Sequence, residues 1–519
     1  MHDAKDRARV AIIGFDSLDF RLLKHWADRG QLPTFKKLFT TGAWSLVANP
    51  RGFEAGTCWP SMWSGTQPDQ HGLHDAFYLF DAQRYRVRMA TPAEIPVDPF
   101  WVAASARGRR MLLVDVPYAF VNADVSGIQV CDWFVHVRSD EEHIHCNPPS
   151  LAARIERDYG LNPWFPPNRC AINEQDAYSV EGLTAIVDTL SSRIVTKTRL
   201  CRDMILQEPW DLFFSVFHEA HDVGHMCWHA HDPTHERHDP ELLARVGDPM
   251  LRIYRGLDEA TAALLEALPE DAVVLVYSSH GIGPERTASR FFDAILERLD
   301  TVSRTAPAGK PPLLDRLAPV YRAVIPAPLR RRLTPSRLLS HAYQKAETDR
   351  LRLRRYFAVN PSYATGGVRF NVKGRDADGV VTAGAELDRL AKEVTEGLFA
   401  MRNADTGEPL VEHVTATSEL WAGPMRHALP DLLVDWNMSH PIERVTSPEI
   451  GEVRNQDRSE RSGDHASSKE GVLLFARPAD GIHGRQPTIN VIDLAPTILR
   501  LLDVSNHHLR GRIIPYLGS

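Results

Sequence analysis

The stretch Val10–Phe20, VAIIGFDSLDF, decides how the rest of the chain is read. Its β-branched and apolar residues, with a glycine near the end, predict a buried strand over Val10–Phe15. Asp16-Ser17 and a helical pattern follow directly. Further strand candidates are Met111–Val116, Leu212–Phe217, Val273–Tyr277, Leu432–Trp436 and Gly471–Phe475. Between them lie helical patterns at Glu181–Gln207 and Pro240–Leu268, and shorter ones opened by Pro33 and at Trp59–Ser64. Strands alternating with helices predict a three-layer α/β/α sandwich around a mostly parallel, mixed sheet. Ligands of such sheets bind beyond the carboxyl ends of the strands. Asp16, His218 and Ser278–His280 each fall just past a strand candidate.

The 519 residues are 43% hydrophobic and 24% charged, a composition for a folded chain rather than a disordered one. The net charge of -7 gives no global reason to expect nucleic-acid or membrane binding. No apolar run approaches the roughly 18 residues of a membrane span. The six cysteines are scattered, without a CxxC pair, which reads as reduced thiols in a cytoplasmic protein. A single catalytic domain over 1–519 is expected, with a basic insertion or flap at about 304–355. There, ten Lys/Arg from Arg322 to Arg355 face only Glu347 and Asp349. The segment is either a solvated insertion or a flap over an anionic substrate.

The densest chemical signal is FHEAHDVGHMCWHAHDPTHERH, Phe217–His238. On a helix, His221 and His225 stand at i and i+4, so both rings leave one face, a spacing that suits one divalent metal. The other reading is a polar surface helix rich in histidine. VVLVYSSHGIG puts His280 after a strand, and RSGDHASSKEGVLLF puts Asp464-His465 before one. Imidazole and carboxylate ligands in several such places, with Asp16, point to zinc, manganese or a similar ion.

In this order the motifs resemble the alkaline phosphatase superfamily, and most closely its type I phosphodiesterase/nucleotide pyrophosphatase branch. VAIIGFDSLDF resembles the opening metal-binding strand, WPSMWSGTQPDQHG the nucleophile helix and its loop, and EAHDVGH the metal-ligand segment. VRFNVKGRDADGVV and INVIDLAPTILRLLDV resemble two further blocks, so the likeness runs from about Val10 to Val504. It implies a hydrolase of phosphate esters that uses two divalent ions, zinc or manganese. Asp16, His225, His280 and His465 match ligand positions. Two positions depart: His221 stands where the family has aspartate, and Ser279 where it has the aspartate of Asp-His-Gly. His221, His225 and His465 still make a three-ligand zinc site, whereas the second site, on Asp16 and His280, is expected to be weaker. The expected partner is a small phosphate ester, most closely a phosphodiester or nucleotide pyrophosphate. A sulfatase or phosphonate hydrolase, or a metal-binding homologue without catalysis, is the alternative.

Thr57 is the candidate nucleophile. It precedes Trp59-Pro60, where proline marks a first helical turn, whereas Ser61 and Ser64 fall inside that helix. Cys58-Trp59-Pro60-Ser61 has the outline of a sulfatase motif, but Met62 stands where arginine is required. Counting back from Ser64-Gly65 without gaps puts the family's nucleophile position on Ala55; a shortened loop with Gly56 would bring Thr57 into register. Asp19, Arg51 and His71 read as capping or structural groups.

Overall fold

The computed structural model describes residues 8–75, 78–134, 144–163, 174–303, 348–456, 461–465, 469–477, 482–505 and 509–517. Most of the basic insertion expected at 304–355, and Cys170, lie outside the described residues.

The strand Val10–Phe15 lies at the middle of the main sheet and is buried throughout. It pairs in parallel with Leu212–Phe217 on one side and Val273–Ser278 on the other. Met111–Val114 and Gly127–Cys131 continue the parallel run beyond Leu212–Phe217. On the other side Gly471–Phe475 is antiparallel to both Val273–Ser278 and Ala43–Ala48. The sheet is therefore mixed, with a parallel centre.

Alternate residues of the central strands feed two cores. Ala11, Ile13 and Phe15 pack with Phe213, Phe217, Val274 and Val276 under the helices Phe20–Asp28, Pro33–Thr41, Val180–Gln207 and Pro249–Ala267. Val10 and Ile12 point the other way, with Leu212, Phe214, Val216 and Leu275, onto Cys58–Ser64, Phe100–Ala106 and Leu494–Leu501. A strand covered on both faces has no polar side to show, which is why its sequence is a continuous apolar run. The three expected layers are present.

Two expectations change. Leu432–Trp436 is a strand, but it belongs to a separate antiparallel sheet with Tyr356–Ala358, Gly366–Phe370 and Val411–Ala416. That sheet has its own core against the helices Phe292–Val302 and Ala385–Phe399. The helical pattern Pro240–Leu268 is two helices, Pro240–Val246 and Pro249–Ala267, parted at Gly247, whose φ of 80° no helix accommodates. Asp248 caps the second by accepting from the Leu251 amide. The described end of the basic segment docks on Phe292–Val302: Arg350 and Arg354 pair with Asp293, and Arg355 with Asp300. Among the described residues no helix is long and apolar enough to cross a membrane.

Candidate active site

Register builds the site. Phe15 lies level with Phe217 and with Ser278, so the next residues, Asp16, His218 and Ser279, emerge side by side at the carboxyl ends of three parallel strands. The Asp16 amide donates to the Phe217 carbonyl and the Ser279 amide to the Phe15 carbonyl, continuing the ladder one step. All three residues are buried.

The helix Glu219–His231 starts immediately after His218 and carries His221 and His225 on one face. Two glycines bring a third histidine to them. A Cβ on Gly463 would lie 2.2 Å from the Gly224 carbonyl oxygen, and one on Gly224 would lie 2.6 Å from Ile282 Cδ1. Without side chains there, the short pairing of Gly463–Asp464 with Gly283–Pro284 rests directly on the helix and delivers His465.

The hydrogen bonds fix the ring protons. His225 Nδ1 lies 2.7 Å from the Gly463 carbonyl and His465 Nδ1 lies 3.2 Å from the Gly281 carbonyl. A carbonyl only accepts, so each ring carries a proton on Nδ1 and turns Nε2 toward the cluster. The two Nε2 atoms face each other at 3.0 Å, and His221 Nε2 stands 3.2 Å from His225 Nε2. His221 Nδ1 faces Asp222 Oδ1 at 3.5 Å. Ring nitrogens this close need a cation, a proton or a metal ion, between them. Tetrahedral zinc with bonds of about 2.0–2.1 Å would set its imidazole nitrogens about 3.3 Å apart. The observed spacings match that edge, and a backbone carbonyl or carboxylate on the far nitrogen is the usual support of a metal-bound histidine. The trio fits a divalent ion.

Asp16 is the anchor of a second group. One ligand atom each of Asp16, His218 and His221 lies within 4.8 Å of the others. Burial pushes the Asp16 carboxyl up to about 6, against hydrogen bonds from the Trp59 indole (3.0 Å) and the Ser279 hydroxyl (3.1 Å) to Oδ1 that favour the anion. Burial likewise holds His465 down at about 4 and His280 well below its ordinary value, so both rings are neutral at pH 7.

His280 stands 3.9 Å from Asp16, Nδ1 to Oδ1, but its nitrogens meet hydroxyls: Nδ1 meets Ser279 Oγ at 2.8 Å and Nε2 meets Ser17 Oγ at 3.1 Å. Ser17 adopts a left-handed φ of 59°, uncommon for a residue with a Cβ, to make that contact.

Thr57 lies buried at the N-terminal boundary of the helix Cys58–Ser64. Gly56 turns at φ 39°, and the Thr57 amide folds back on the Ala55 carbonyl. The next two residues touch the site: Cys58 Sγ is 3.5 Å from His280 Nδ1 and Trp59 bonds to Asp16. Burial and the nearby Asp16 charge push the Cys58 thiol well up, which keeps it protonated. Ser61 bonds to His71 Nε2, and Ser64 to the Pro60 carbonyl and Thr66, so both hydroxyls are spent inside the fold. Asp19 caps the helix Phe20–Asp28 and Arg51 pairs with Asp435.

Sequence reading gave His218 no role, although its position one residue past a strand, like that of Asp16, was the available signal. It also missed the charges behind the histidines. Buried Arg193 reaches Glu219 and Asp222, and buried Lys197 pairs with Asp115 at 2.7 Å. Both cations come from the long helix Val180–Gln207, far from any motif.

The sequence profile of the type I phosphodiesterase/nucleotide pyrophosphatase family matches residues 10–395. The chain belongs to that family. Its members are phosphoester hydrolases, and the buried Asp/His groups at the strand ends are the part of this chain that could hold the family's divalent metal. No curated protein sequence matches the chain. Among solved structures, human ectonucleotide pyrophosphatase/phosphodiesterase 5 aligns over 97% of both chains at 13% identity, with a TM-score of 0.47. Phosphonoacetate hydrolase from Sinorhizobium meliloti 1021, in complex with phosphonoformate, aligns over 96% of both chains at 13% identity and a TM-score of 0.49. Murine ectonucleotide pyrophosphatase/phosphodiesterase 5 in complex with AMP aligns over 97% of both at 12% identity and 0.46.

Proposed function

We propose that the chain hydrolyses phosphodiesters or nucleotide pyrophosphates by in-line attack of the Thr57 hydroxyl on phosphorus. The observation that carries this reading is the convergence of the Nε2 atoms of His221, His225 and His465 beside a buried carboxylate that is bonded to the helix beginning at Thr57. His221, His225 and His465 would hold one divalent ion, zinc or manganese, and Asp16 would anchor a second. Bound there, such ions supply positive charge to the phosphate oxygens and lower the pKa of a hydroxyl they touch.

The residues of the chain do the rest. The turn at Gly56 sets Thr57 at the start of the helix, while Trp59 holds the carboxylate against that helix and screens it from water. Attack forms the Thr57 O–P bond, breaks the bond to the leaving alcohol or phosphate, and the departing oxygen takes up a proton. Water then cleaves the phosphothreonine and restores the hydroxyl.

Turnover of bis-p-nitrophenyl phosphate in the presence of zinc or manganese tests this. Thr57→Ala should lose more than about 10³-fold in kcat, as nucleophile removal does elsewhere. Full activity in that variant refutes the nucleophile. Sulfate esters turned over faster than phosphodiesters would refute the substrate class.

A further inference from the structure

Resting on the phosphodiesterase reading just given, we propose that Asp75 selects substrates in which one arm of the phosphodiester carries an ammonium group. Tyr78, Tyr118 and Tyr363 form the rest of that subsite.

Three tyrosines from separate loops make a wall that runs outward from the site. It starts at Tyr118, whose phenol lies within electrostatic reach of Asp16, Asp75, Cys58 and Tyr78. Tyr78 comes next, in reach of Asp75 and Tyr363. The far end is Tyr363, which is 43% exposed and in reach of Asp75, Arg290, Arg461 and Asp464. All three phenols therefore converge on one carboxylate, that of Asp75. Because the wall starts beside Asp16 and Cys58, next to the proposed metal anchor and nucleophile, an arm esterified to the phosphate can lie along it.

The backbone holds these groups in place. Asp75 and Tyr118 adopt left-handed φ of 41° and 60°, uncommon for residues with a Cβ, and strain of this kind persists where the surrounding structure enforces it. The Asp75 amide donates to the Pro361 carbonyl at 2.6 Å, which ties it to the loop that carries Tyr363. That loop is fixed from its other side: Thr287 Oγ1 donates to the Tyr363 carbonyl at 2.9 Å, and the Arg290 guanidinium lies 5.1 Å over the Tyr363 ring. Gly367 closes the same loop, since a Cβ there would lie 2.0 Å from the Val359 carbonyl oxygen.

What the subsite takes follows from its atoms. Glu285 pairs with Arg290, and Asp464 accepts from the His465 amide at 2.7 Å. Among the described residues the Asp75 carboxylate accepts no hydrogen bond and joins no ion pair. Burial and the charge of Asp464 push its carboxyl up to about 6, against the nearby Arg461 guanidinium, so at pH 8 it is an anion that a cation would relieve. An ammonium has three donors, which one carboxylate and neighbouring phenol oxygens can accept. A bare divalent ion is poorly served, since Asp75 belongs to neither metal-holding group among the described residues. A neutral arm gains nothing from Asp75, and an anionic one is repelled.

Calorimetry on the zinc-loaded full-length protein at pH 8 tests this, comparing 3-aminopropyl phosphate with n-butyl phosphate, in which methyl replaces ammonium. The wild type should bind the amine at least about tenfold more tightly. Asp75→Asn should weaken the amine about 10–100-fold, as loss of hydrogen bonds to a charged group does, and leave n-butyl phosphate no weaker. Tyr363→Phe removes only a partly exposed hydroxyl and should weaken the amine alone, about threefold; it carries the test if Asp75→Asn does not fold. Turnover of bis-p-nitrophenyl phosphate, which has no amine, is measured alongside.

Equal affinity for the two esters in the wild type, or equal weakening of both in Asp75→Asn, overturns the assignment. So does a Tyr363→Phe protein with unchanged amine binding. Diester turnover without any preference for the amine overturns this inference alone. If the preference and its dependence on Asp75 hold but no diester is turned over, the proposed function falls and the ammonium subsite stands. A protein that binds neither ester overturns the inference, and one that also turns over no diester overturns both.

Discussion

Asp16→Asn should make the metal-free protein more stable while reducing its gain from metal. Asp16 is buried, and burial raises its carboxyl from the ordinary 3.8 to about 6. In the metal-free state the folded chain therefore keeps this proton up to about pH 6, whereas the unfolded chain releases it near 3.8. Between those values the unfolded state binds fewer protons, so stability falls as pH rises through the window and stays lower above it. At about 1.4 kcal/mol per pH unit, the gap amounts to about 3 kcal/mol. The amide does not titrate, and its oxygen can still accept from Trp59 Nε1 and Ser279 Oγ, the two donors that now meet Oδ1. Urea unfolding in chelator should find Asp16→Asn more stable than the wild type by up to about 3 kcal/mol at pH 8, and close to it at pH 4. Added zinc should then stabilise the wild type more than the variant. A variant no more stable than the wild type in chelator at pH 8 would refute the reasoning. So would a difference that does not change between pH 4 and pH 8.

Gly463→Ala puts a methyl 2.2 Å from the Gly224 carbonyl oxygen and 3.1 Å from Trp228 Cβ, where backbone has no room to yield. We expect a loss of about 1–3 kcal/mol in thermal unfolding and weaker zinc binding, because His465 rides on that segment. Lys197→Met strands Asp115 in a pair whose members are both fully buried, and should cost about 3–5 kcal/mol in urea unfolding. Adding Asp115→Asn should restore part of it, measured as a double-mutant cycle. Cys58→Ala should keep phosphodiester turnover within about threefold, since a thiol held protonated by burial is no nucleophile.

The strand Val10–Phe15, its helical neighbours and the i,i+4 pair His221/His225 were legible because each is local. Burial on both faces leaves an apolar run, and helical pitch puts residues four apart on one face. The missed partners are not local. Leu432–Trp436 reads like any buried strand, and nothing within it records which sheet it joins. Arg193 and Lys197 look like charges on an amphipathic helix until Glu219, Asp222 and Asp115 are seen beside them. Thr57 stands two residues out of register by counting, and the turn at Gly56, at φ 39°, is a backbone feature that counting along the chain does not see.

By itself, then, the sequence determined the layers and the family, and offered a pool of candidate groups: Asp16, Thr57, His218, His221, His225, His280 and His465. Only the tertiary structure decided what each nitrogen can do. Whether an imidazole offers a lone pair or a proton depends on what faces its other edge. Those partners, Gly463 and Gly281 carbonyls for His225 and His465, and Ser17 and Ser279 hydroxyls for His280, reach the rings across other segments or through the folded backbone. A ring's protonation site is a property of its surroundings, and no spacing along the chain encodes it.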